Sequence, residues 1–95
     1  MAEKVFEREK LFDDGTFVEA RAYIVEPDEH FAEGVKYSFQ YCDANGENIL
    51  RYDNARHSTD IPRHHRHVGA DETIEPVEYT GSIAKQFRKF KEEIR

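Results

Sequence analysis

Four of the protein's five histidines fall within eleven residues, at His57, His64, His65 and His67, and arginines are threaded among them. The stretch from 51 to 67 holds Arg51, Arg56, Arg63 and Arg66 against Asp53 and Asp60, a local charge of +2 in a chain that carries −6 overall. Imidazole, with an unperturbed pKa of about 6.5, takes or gives a proton near neutrality. Guanidinium offers a planar fork of fixed positive charge to a phosphate. Together they are the parts of a metal-independent ribonuclease, because RNA brings its own nucleophile, the 2′-hydroxyl. Two other uses of the same residues compete with that one. Imidazoles beside Asp53 and Asp60 have the makings of a Zn²⁺, Ni²⁺ or Fe²⁺ site, although Arg63 and Arg66 interleave with the ligands and oppose a divalent charge. A solvated basic loop that docks a partner protein is the non-enzymatic alternative.

The elements that must position these residues are legible from periodicity. Val35, Tyr37, Phe39 and Tyr41 alternate with polar residues, which predicts a half-buried strand over 35–42. Asn45-Gly46 then supplies a hairpin turn, and Asn48 to Asn54 is the return strand. An earlier hairpin runs from Val5 to Phe12, turns at Asp13-Asp14-Gly15 and returns from Thr16 to Val25, where Pro27 stops it. Ile83, Phe87, Phe90 and Ile94 recur at spacings of four, three and four, which predicts an amphipathic helix over 82–95, capped by Thr80 or Ser82. The expected fold is α+β, a four-stranded antiparallel sheet from two hairpins with one C-terminal helix on a face. A fifth strand joins it if Thr73 to Thr80 is extended. Residues 56–81 are expected to form a long loop carrying the histidine and arginine cluster, within a single domain of 1–95.

Composition narrows the class further. One cysteine, Cys42, excludes an intrachain disulfide framework and any Cys-rich metal site. No apolar run is long enough to span a bilayer and no secretory leader is evident, so a cytoplasmic protein without membrane contact is expected. The acidity is concentrated in residues 1–50, at −7, whereas 82–95 carries +3. That distribution argues against nonspecific coating of nucleic acid but leaves room for one focused site. The apolar helix stripe is expected in the core. Its alternative use is an oligomer or partner interface, so a homodimer stays open.

At the cluster the chain resembles the TumE family, the toxin components of prokaryotic toxin–antitoxin modules. The resemblance rests on Arg51-Tyr52-Asp53-Asn54-Ala55, then His57, Pro62 and the string His64-His65-Arg66-His67-Val68-Gly69. Ser58 stands where the family pattern carries a second histidine. The resemblance implies a toxin encoded beside a cognate antitoxin of helix-turn-helix type, acting on RNA or translation. Read with the chemistry above, it makes an RNA-cleaving growth inhibitor the leading expectation. His57, His64, His65 and His67 are then the acid–base candidates, and Arg51, Tyr52, Asp53, Asn54, Arg63 and Arg66 the substrate-binding candidates. Neither a metal nor another cofactor is expected. A protein-interaction module and a His-rich metal-binding domain are the alternatives.

Overall fold

The computed structural model describes residues 2–56 and 58–94. Its fold is α+β, with one antiparallel sheet of six strands in sequential order and one helix. The strands are β1 (Glu3–Leu11), β2 (Phe17–Ile24), β3 (Val35–Cys42), β4 (Asn48–Asp53), β5 (His65–Val68) and β6 (Thr73–Pro76), and the helix is α1 (Ile83–Ile94). The two expected hairpins and the helix stand within a residue or two of their predicted ends. The strand count corrects the expectation of four or five, and the expected long loop over 56–81 contains two further strands. β6 falls within the optional fifth strand over Thr73 to Thr80, whereas β5 escapes a periodicity reading because His65-Arg66-His67-Val68 puts polar groups on both faces and lacks an apolar alternation. Backbone pairing with β4 and an Arg66–Glu75 ion pair to β6 stabilise them instead.

Turn chemistry sets the hairpins. Asp43 Oδ1 accepts hydrogen bonds from the backbone N–H of Asn45 (2.9 Å) and Glu47 (3.0 Å), and Gly46 adopts a φ of 86°. At the other turn Gly15 has a φ of 88°, and a Cβ there would sit 3.0 Å from that of Ala44. Gly15 thus supplies both the left-handed backbone and the space the neighbouring turn needs.

One face of the sheet carries the core: Val18, Ala20, Ala22, Tyr37, Phe39, Tyr41, Leu50 and Tyr52, with Phe90 from the helix. Ser82 caps the helix, its Oγ accepting from the Lys85 N–H at 3.2 Å. Phe87 meets Phe6 and Phe39 edge-on, with ring centroids 5.0 and 5.3 Å apart, while Phe90 packs between Phe39 and Tyr52. Among the described residues no helix packs on the opposite face.

A directional chain of hydrogen bonds also fastens the helix to the sheet. Gln86 Nε2 donates to Tyr37 Oη (3.2 Å), Tyr37 Oη lies 3.0 Å from His64 Nδ1, and His64 Nε2 lies 3.1 Å from Glu33 Oε1. Gln86 also accepts from the Thr80 N–H. With Gln86 donating to it, the phenol spends its proton on Nδ1, and His64 donates through Nε2 to Glu33. A neutral imidazole fits that chain, whereas an imidazolium would present a second donor to the phenol. Burial, together with the nearby cations His65 and Arg63, correspondingly holds the His64 pKa below its ordinary value despite Glu33.

Two consequences are measurable. Phe90→Ala should cost about 3–5 kcal/mol in urea unfolding, because the ring is wholly enclosed. The unfolded chain takes up a proton at His64 before the folded one does. Stability from neutral His64 is therefore present above the unfolded pKa of about 6.5 and declines as pH falls toward the lower folded value. Thermal melts should show wild type losing its advantage over His64→Gln between pH 7.5 and 5. A gap that widens on acidification would contradict the neutral assignment.

Candidate functional site on the open sheet face

Side chains alternate along a strand, so β4 divides its own residues. Leu50 and Tyr52 enter the core under the helix, and Arg51 and Asp53 project to the open face. Asp53 lies opposite His65 in the register, and Arg51 lies opposite His67. Four polar side chains from two adjacent strands therefore converge on one face.

Their contacts are close. His65 Nε2 lies 2.8 Å from Asp53 Oδ1, and His67 Nε2 lies 3.5 Å from Oδ2. Arg51 Nε donates to Asp53 Oδ2 at 3.0 Å, and its Nη2 pairs with Glu72 Oε1 at 2.9 Å. Glu72 also stands 3.7 Å from His67 Nδ1. His65 is buried, and its Nδ1 donates to the Pro62 carbonyl at 2.9 Å, so the segment after β4 folds back over it. His67 is the looser ring, since neither of its nitrogens is within hydrogen-bonding distance of those two carboxylates. The ligand atoms of Asp53, His65 and His67 all lie within 4.8 Å of one another, a spacing that would hold a metal ion.

Electrostatics separates the roles. Burial raises the Asp53 carboxyl, but His65, Arg51 and His67 outweigh it and hold the group below the ordinary carboxylate range. Burial lowers the His65 imidazole, and Asp53 with the Pro62 carbonyl reverses that into a net rise. His67 is lowered by burial and by Arg51, against the pull of Asp53. Asp53 is thus a carboxylate at neutral pH, and His67 is the ring that keeps a lone pair there.

Beside the cluster the open face is concave. A groove of about 270 Å³ is lined by Tyr23, Lys36, Ser38, Gln40, Arg51 and Asp53. A larger groove of about 390 Å³ lies between β1, β2 and the helix at Phe12, Phe87 and Ile94, and none of the described histidines lines it.

The structure distributes the other expected site residues elsewhere. His64 sits on the helix side, stacked on Tyr79 with ring centroids 4.6 Å apart. Arg66 also points to that side and pairs with Glu75 (2.6 Å) and Glu93 (2.7 Å). Tyr52 is buried and donates its phenol hydrogen to Glu93. Asn54 is buried as well: its Oδ1 accepts from the Tyr37 N–H (2.9 Å) and its Nδ2 donates to the Val35 carbonyl (2.8 Å). Its side chain thereby extends the β3–β4 ladder by one rung. Arg63 is exposed, and His57 lies outside the described residues. Of the ten candidates, Arg51, Asp53, His65 and His67 come together.

Glu72 is the residue sequence reasoning missed. It ends the β5–β6 turn with a φ of 52°, in the left-handed region a non-glycine residue seldom adopts, and its carboxylate reaches Arg51. The turn signal Gly69-Ala70-Asp71 between Val68 and Thr73 was the available clue.

A family model described as toxin TumE matches residues 2–95, nearly the whole chain. No curated protein and no solved structure gives a significant match. The match takes in the open-face cluster, the helix-side network and both edges of the sheet. The chain belongs to the TumE toxin family.

Proposed function

We propose that this toxin arrests growth by cleaving RNA at the open-face cluster, with the RNA's own 2′-hydroxyl as nucleophile. The observation that supports this reading most is the convergence of Arg51, Asp53, His65 and His67 beside a groove that also presents Lys36. Attack by the 2′-oxygen forms a P–O2′ bond and breaks the P–O5′ bond. The chemistry therefore needs an acceptor for the 2′-hydroxyl proton, a proton for the departing 5′-oxygen, which the protonated acceptor or water returns, and fixed positive charge in place around the phosphate. His67 is the proton acceptor, being neutral and only partly buried. Arg51 and Lys36 bind the phosphate. Asp53 and the enclosed His65 are positioning residues, since His65 has no path to a substrate. Membership in a toxin family makes a cognate antitoxin the natural partner, of helix-turn-helix type on the sequence resemblance. Covering the open groove is the simplest way for such a partner to silence the site.

The test is cleavage of a labelled RNA by purified protein kept in excess EDTA. Wild type should cut. His67→Ala and Arg51→Ala should each lose about 100-fold or more, the usual weight of a proton-transfer group or a fixed phosphate cation. His30→Ala, on the exposed segment between β2 and β3, should cut normally, and His64→Gln should stay within a few-fold of wild type. Growth arrest should follow the same ranking in cells. Full toxicity in His67→Ala and Arg51→Ala, with no RNA cut by wild type, would sink the enzymatic reading and favour a module that acts by docking.

A further inference from the structure

The geometry points to a divalent transition-metal site on the open sheet face, made by Nε2 of His65, Nε2 of His67 and the carboxylate of Asp53. Two ligand atoms held about 2.0–2.2 Å from one ion stand roughly 3–3.5 Å apart when they subtend angles near 90–110°. Separations of 2.8 Å for His65 and 3.5 Å for His67 from the two carboxylate oxygens bracket that range.

The orientation of His65 supports ligation more directly than the distances do. Its Nδ1 is committed to the Pro62 carbonyl, so Nε2 is the nitrogen presented to Asp53. Although that nitrogen lies 2.8 Å from Oδ1, the buried Oδ1 accepts no aligned hydrogen bond among the described residues. Nitrogen and oxygen therefore sit side by side, as two ligands of a common centre do, and not with donor aimed at acceptor. His67 likewise turns Nε2 toward Asp53, at 3.5 Å, whereas its Nδ1 stands 3.7 Å from the Glu72 carboxylate, beyond a hydrogen bond, so among the described residues Pro62 is the one outer acceptor already in place. An outer acceptor on the second ring nitrogen is the usual support of a metal-binding histidine.

Two imidazoles with one carboxylate select Zn²⁺ or another divalent transition ion over Mg²⁺ or Ca²⁺, which take oxygen ligands. The cations that oppose a metal in the linear sequence are not at the site. Strand alternation sends Arg66 to Glu75 and Glu93 on the other face, and Arg63 is exposed. Arg51 does border Asp53, and its second partner Glu72 balances its charge. Three protein ligands leave one position for water. A bound ion takes the lone pair of neutral His67 at Nε2 and leaves the proton on Nδ1, so the ring can no longer accept one and the metal-loaded toxin is silent. That last consequence rests on the cleavage reading, whereas the site itself does not.

Full-length protein stripped with EDTA and dialysed is titrated with Zn²⁺ by calorimetry, and with Co²⁺ by visible absorption. One ion per chain should bind, with Co²⁺ bands of low coordination number and a rise in melting temperature. Asp53→Asn and His67→Gln should lose the saturable binding, the bands and the thermal shift, while metal-free melts confirm that they fold. His30→Ala should keep all three. Absence of one-to-one binding to wild type, or binding that survives both variants, overturns the site and leaves the cleavage reading standing. Zn²⁺ that binds at these residues and stimulates RNA cutting upholds the site and overturns the metal-free mechanism.

Discussion

The register of β5 against β4 is the constraint on which the candidate site depends. Side chains alternate along a strand, so the pairing of Asp53 with His65 and of Arg51 with His67 decides which groups share a face. A slip of one residue would send both histidines under the helix and bring Arg66 and Val68 to the open side. Two features hold the register from either end. Asn48 Nδ2 donates to the carbonyls of His67 and Gly69, at 3.1 and 3.0 Å, which pins the turn end. At the other end the buried His65–Asp53 contact and the Pro62 carbonyl close the strand.

The two faces of the sheet make different use of polar groups. On the helix side they fasten: Gln86, Tyr37, His64 and Glu33 form one chain, and Arg66 ties β5 to β6 and to the helix through Glu75 and Glu93. Each donor there meets an acceptor, which is what a buried polar network requires to be worth its desolvation. On the open side Asp53 Oδ1 is left without an aligned donor, and the His67 contacts are long. Polar groups that are gathered but incompletely satisfied are the pattern of a site awaiting a ligand, not of a fastening.

Charge on the open face is graded as well. On β1 and β2, Arg21 is enclosed by Glu7, Glu9 and Glu19, so that half of the face is net acidic. Around the groove Lys36 and Arg51 are offset by Asp53 and Glu72, so the middle of the face is close to neutral. A polyanion would be disfavoured over the first two strands and admitted over the middle ones. A chain of net charge −6 is thereby compatible with one confined anion-binding area.

The sequence by itself determined the local elements, because each depends on short-range physics. Alternation over 35–42, the Asp43 to Gly46 turn and the apolar spacing of Ile83, Phe87, Phe90 and Ile94 are complete within their own segments. It also singled out Asp53, His65, His67 and Arg51, though among six other residues that the fold uses elsewhere or leaves untested. What separated them was tertiary. His64 and His65 are neighbours in the chain yet lie on opposite sides of the sheet, and Asn54 resembles a turn residue but finishes a ladder two strands' worth of sequence away. Glu72 joins the site only because β5 stands between β4 and β6, and β5 carries no apolar alternation of its own. Its formation depends on the edge of β4, a partner from an earlier part of the chain whose effect the β5 segment alone does not contain.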